Sequence, residues 1–172
     1  MVNSLKLEFF FLFIFLPTFF FLNESTKMIF LVLYLVSLIS FILLKKEKNF
    51  DLKKLRKKID WKFSFLIFIC FLIMGYFYTI LADPQALFLF PKENFKLWII
   101  VMALYPVLSV IPQEFVYRVF FFQRYKTIFD NNFSVLFIAN IFIFSYAHIV
   151  FQNIHAVIIT AVVSPIFSYA YL

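Results

Sequence analysis

Residues 112–118 read Pro112-Gln113-Glu114-Phe115-Val116-Tyr117-Arg118, an acid and a base within one helical turn, inside an apolar run that starts near Leu97 and reaches about Tyr125. Ionisable side chains at membrane depth are costly and mark functional positions by default. On a helix Glu114 precedes Arg118 by four residues, the favourable order for a side-chain ion pair. Pro112 lacks an N–H, so it frees a carbonyl about a turn earlier and can kink the helix there.

The composition around this stretch is that of a membrane protein. Of 172 residues 65% are hydrophobic and 24% aromatic, and the mean hydropathy is +0.96, which excludes an ordinary soluble globule. The thirty Phe accompany high Ile, Lys, Asn and Tyr, the bias of an AT-rich genome rather than an aromatic binding surface. A spanning helix needs about 20 mostly apolar residues. Six segments meet that requirement: Leu7–Leu22, Met28–Leu44, Phe63–Leu81, Leu97–Ile111 running on to about Tyr125, Phe133–Phe151 and Ile154–Leu172. The first is read as a retained span, because Pro17 and the bulky Phe19, Phe20, Phe21 and Leu22 leave no small-residue cleavage site. The fold class is all-α: a polytopic integral membrane helix bundle, one membrane domain over residues 1–172. Cys70 stands alone, so no intramolecular disulfide or cysteine metal cluster exists.

Charge orients the bundle. Nine of the sixteen Lys and Arg lie between Lys45 and Lys62, and the positive-inside rule places that loop in the cytoplasm. Lys6, Arg118, Arg124 and Lys126 then fall on the same side, with Lys27, Lys92 and Lys96 outside. The expectation is a bacterial inner (cell) membrane protein with a cytoplasmic N-terminus and Glu114 in the cytoplasmic part of its helix. Topology and anionic lipid headgroups account for the basic loop, so no nucleic-acid partner is expected and the lipid bilayer is. The outside connector with Asp83-Pro84 and Phe90-Pro91 reads as an ordinary loop. With Gly75 the single glycine, Ala and Ser must supply the close helix contacts.

A second polar island, Phe144-Ser145-Tyr146-Ala147-His148, lies in the next span, which also carries Asn140. His148 falls on the face of Phe144 and near that of Asn140. Taken alone, a Glu–Arg pair serves as a helix clamp and a membrane His as a packing residue; together in neighbouring helices they are a site candidate.

The pair Gln113-Glu114 followed by three residues and Arg118, then Phe144-xxx-His148, resembles the motifs of the CAAX prenyl endopeptidase and bacteriocin-processing family, also called Abi, of intramembrane proteases. The resemblance covers residues 97–172 and includes Phe120-Phe121-Phe122 before Arg124-Tyr125. It implies about eight helices around a cavity open to the cytoplasm, of which about six are present, and hydrolysis of a peptide bond in a peptide or protein substrate. It gives the first motif to Gln113, Glu114 and Arg118 and the second to His148, with a Glu activating water and the His binding or polarising it. A carboxylate removed from water is a usable general base near neutral pH, and fixed donors stabilise an oxyanion.

Two departures bear on activity. The family has two adjacent Glu, the first being the general base, and that position is Gln113, whose amide cannot take the proton. Either Glu114 takes the role or hydrolysis is impaired. The third motif, His-xxx-Asn, is missing, since Ile159 follows His155 by four; the chain is expected to be C-terminally truncated relative to the family. A zinc site from Glu114, His148 and His155 is the other arrangement these residues permit, but there is no His-Glu-xx-His helix, and the topology puts His155 at the opposite end from Glu114. No cofactor is expected. The alternatives are a non-catalytic scaffold or immunity-type peptide-binding protein, or a small proton-coupled transporter using Glu114 and His148. The sequence sets no oligomeric state.

Overall fold

The computed structural model describes residues 2–24, 28–47, 50 and 60–172. Much of the basic loop (48, 49 and 51–59) and Lys27 lie outside the described residues. Among the described residues there is no strand, and five helices are long and apolar enough to cross a membrane: Val2–Leu22 (α1), Trp61–Ala82 (α3), Phe95–Arg124 (α4), Phe133–Phe151 (α5) and Ile154–Tyr171 (α6). A shorter apolar helix, Ile29–Lys45 (α2), has 17 residues, the lower limit for a span. The six expected segments are therefore all helical. Helical structure is the only open-ended answer in lipid, because each backbone N–H and C=O must be satisfied within the segment. Helix starts are closed by side chains: Asp60 accepts from Phe63 N, Asn132 from Val135 N and Asn153 from His155 N.

The chain packs as two compact units, Met1–Lys48 with Pro106–Leu172, and Asn49–Tyr105. In the second unit α3 buries none of its residues, and a Cβ built on Gly75 meets nothing within 4 Å. After α3, one 3₁₀ turn (Pro84–Ala86) and a short helix (Leu89–Glu93) form the proline-bounded connector.

The first unit holds the core. Lipid is as apolar as Leu, so packing and interhelical hydrogen bonds must hold these helices together. Phe13 of α1 is T-stacked on Tyr117, Phe121 and Tyr125, and Phe13, Phe120, Phe121 and Tyr125 are fully buried. Each such ring pair contributes about 0.5–1.5 kcal/mol beyond area burial. At one end Arg124 donates through Nε and Nη2 to both carboxylate oxygens of Glu8 at 2.8 and 2.9 Å, and through Nη1 to Glu47 at 2.7 Å. Tyr125 adds its hydroxyl to Glu8 at 2.9 Å. This cluster ties the start of α1, the residue after next beyond α2 and the end of α4 to one face, the antiparallel arrangement the charge pattern implies. At the other end Gln152 Nε2 donates to the Phe21 carbonyl at 3.3 Å.

Truncating Glu8 leaves Arg124 with Glu47 as its remaining carboxylate partner. Glu8→Ala is expected to lower stability in detergent by about 2 kcal/mol, the scale of a charge-assisted hydrogen bond lost without replacement, as measured by equilibrium unfolding.

Candidate active site

α4 is irregular where the site lies. Two π-helical stretches, Pro106–Val110 and Phe115–Phe120, bracket a single α turn, Ile111–Glu114, and such wide turns recur at functional positions. In the π register the carbonyl of Val107 would be assigned to the N–H of residue 112, which is proline. Tyr34 of α2 donates its hydroxyl to that carbonyl instead, at 2.8 Å. The carbonyl freed by Pro112 is thus real, and a neighbouring helix satisfies it.

Arg118 is 1% exposed and is the largest fully buried side chain among the described residues. Its Nη1 donates to Asn140 Oδ1 at 2.6 Å and its Nη2 to Ser164 Oγ at 3.3 Å. Its Cζ lies 4.4 Å from the centroid of the Phe144 ring, a cation–π contact. Asn140 is itself held: Nδ2 donates to the Tyr117 carbonyl, and Oδ1 also accepts from Ser168 Oγ at 2.9 Å. Glu114 forms the ion pair its spacing implies, but loosely, with Oε2 3.7 Å from Arg118 Nε and the Glu114 side chain 37% exposed. Arg118 Nε has no hydrogen-bond partner. The guanidinium therefore donates its hydrogen bonds to neutral oxygens on α5 and α6 rather than to the acid.

The four candidates do not converge on one point. Gln113 and His148 line the same cavity, about 90 Å³, walled by Leu12, Pro17 and Phe20 of α1, Val32 and Val36 of α2, and Val116 and Tyr117 of α4. On this measure about 10–15 Å³ holds one water, so the space admits several waters or part of a larger ligand. Gln113 Nε2 donates to Ser109 Oγ at 2.7 Å. His148 Nδ1 sits 2.8 Å from the Phe144 carbonyl, with the imidazole packed on the rings of Phe144 and Phe151. Glu114, one residue and about 100° further round the helix, instead lines a groove with Arg118, Phe115, Val119 and Tyr171. The ten residues from Glu114 to Arg124 put Glu114 about 15 Å from the helix end.

Ser164 and Ser168 were not singled out in the sequence, although their i,i+4 spacing is the small-residue face that a chain with one glycine must use. His155 begins α6, its N–H donating to Asn153 Oδ1. Among the described residues no three His, Cys, Asp or Glu side chains are grouped to hold a metal ion.

Removing the acceptor from a buried cation costs more than removing a neutral hydrogen bond. Asn140→Leu is expected to destabilise the protein by about 3 kcal/mol and Ser164→Ala by about 1 kcal/mol, read by unfolding in detergent; equal effects would mean that Arg118 does not depend on Asn140.

No curated protein and no solved structure matches the chain. The family model described as type II CAAX prenyl endopeptidase, Rce1-like, matches residues 95–172. That span contains Gln113, Glu114, Arg118, Asn140 and His148, the residues whose packing has just been described. Over residues 95–172 this integral membrane protein is similar to the Rce1-like type II CAAX prenyl endopeptidases.

Proposed function

We propose that the protein is a CAAX-type intramembrane endopeptidase, hydrolysing peptide bonds of a peptide or protein substrate admitted from the cytoplasmic side of a bacterial cell membrane. The observation that carries this reading is that Gln113 of the first motif and His148 of the second, 35 positions apart in the sequence, line one cavity. Such a pocket, mostly apolar with a few converging polar groups, has the character of a substrate site. Its lining is mostly apolar, so a polar contact made there counts for more than at the surface. In this reading Arg118, locked to α5 and α6, is a positioning residue that fixes the level of α4 against α5. Glu114 supplies the carboxylate that partly balances its charge. The excess of Lys and Arg on the loops assigned to the cytoplasm supports the orientation.

A second reading has a specific observation in its favour. The cavity holds an amide at the position where the resemblance places an acid, and Glu114 lines another groove. A family member that holds a peptide without cutting it would look like this.

The two readings separate in one assay. The purified full chain, reconstituted in liposomes of bacterial phospholipid, is presented with a library of quenched fluorescent peptides, and cleavage is followed by mass spectrometry. Hydrolysis by the wild type that falls at least about 100-fold in His148→Ala, the scale of a lost acid–base group, is the expected result. Saturable peptide binding with no cleavage, weakened by His148→Ala, would establish the binding protein instead.

A further inference from the structure

Resting on the endopeptidase reading, we infer that His148 is the general base of this protein, its Nε2 taking the proton from a water that Gln113 Oε1 helps to hold. One ring nitrogen of His148 meets the Phe144 carbonyl. A carbonyl oxygen only accepts, so the ring nitrogen 2.8 Å from it, Nδ1, must carry the hydrogen. In the neutral imidazole the other nitrogen, Nε2, then has the lone pair. The edge-on Phe144 ring, its centroid 4.8 Å from that of the imidazole, and the Phe151 ring at 5.8 Å fix the ring plane. This is the arrangement of an orienter and a base: one nitrogen anchored to a fixed acceptor, the other left with its lone pair on a residue that lines the cavity.

Gln113 is set in the matching sense. Its Nε2 is committed to Ser109 Oγ at 2.7 Å, and Ser109 is 1% exposed, so the amide is held with Oε1 as its free acceptor. The cavity thus offers two acceptors, and water, with two O–H donors, complements both. Of the polar groups on its wall, the Gln113 amide has no useful basicity and the Tyr117 phenol is ordinarily protonated at neutral pH. Imidazole alone combines a lone pair with an ordinary pKa near the operating pH. The Gln found where the family carries a Glu then marks a division of labour, with Gln113 orienting the water and His148 accepting the proton.

The step balances. The water oxygen bonds to the carbonyl carbon of the peptide, one water proton passes to His148 Nε2, and the carbonyl oxygen becomes an oxyanion. As the carbon–nitrogen bond breaks, the imidazolium returns that proton from Nε2 to the leaving nitrogen. A carboxylic acid and an amine result, and His148 is again neutral with hydrogen on Nδ1.

The test combines kinetics with a tautomer measurement on the full-length protein in liposomes. His148→Gln is expected to reduce peptide cleavage at least about 100-fold, and adding Gln113→Glu to that variant is expected to restore at least a tenth of the wild-type rate, because a carboxylate then stands in the same cavity. Thermal unfolding in detergent identifies a variant that has failed to fold. With His155→Gln leaving His148 as the chain's one histidine, ¹⁵N spectra are expected to show the Nδ1–H tautomer at rest. Cleavage that survives His148→Gln but is lost in Glu114→Gln would overturn the assignment while leaving the endopeptidase reading intact, as would an Nε2–H tautomer. A wild type that cleaves no peptide would overturn both.

Discussion

A guanidinium with no access to water organises the first unit. Arg118 is charged at any physiological pH, and inside a membrane-spanning helix its cost must be offset by fixed partners. α5 and α6 supply them through Asn140, Ser164 and the Phe144 ring, and Ser168 braces Asn140 in turn. Three helices are thereby set at one level and rotation. Because Arg118 cannot move without leaving a buried charge unsatisfied, the azimuth of α4 is determined, and with it which of Gln113 and Glu114 meets the cavity.

The same constraint links the two ends of the site. Phe144 packs against the guanidinium on one side of the contact and the imidazole of His148 on the other, while its carbonyl receives His148 Nδ1. A single residue therefore carries both the anchor and the candidate base. The π-helical stretches on either side of Ile111–Glu114 let α4 present successive residues to different surfaces without breaking its hydrogen bonding. The proline responsible for one gap is compensated by Tyr34, and α1 closes the cavity with Pro17 and Phe20.

Much of the fold was legible because bilayer thickness is a strict ruler. Phe133–Phe151 was placed to the residue, and the other spans differ by a few positions where charged ends such as Lys6 and Lys62 are carried on helical turns that hydropathy alone excludes. The Glu114–Arg118 pair was legible from i,i+4 spacing. Its true hierarchy was not, because one-dimensional spacing does not reveal that Arg118 would find Asn140 and Ser164 on helices 22 and 46 residues away. The sequence likewise shows Gln113 and Glu114 as neighbours, and only the rotation of α4 separates them into different grooves. The pairing of His148 with the Phe144 carbonyl was half visible, since both lie on one face, but its consequence for the tautomer requires the distance.

The central claim is that residues 113 and 148 share a cavity that residue 114 does not enter. Its most direct measurement is cysteine cross-linking in native membranes, in a Cys70→Ser background that removes the native thiol. A short bifunctional thiol reagent is expected to join the pair Gln113→Cys with His148→Cys, and to fail to join Glu114→Cys with His148→Cys. Efficient linkage of the 114–148 pair with none for 113–148 would contradict it, and would return the cavity's carboxylate to Glu114.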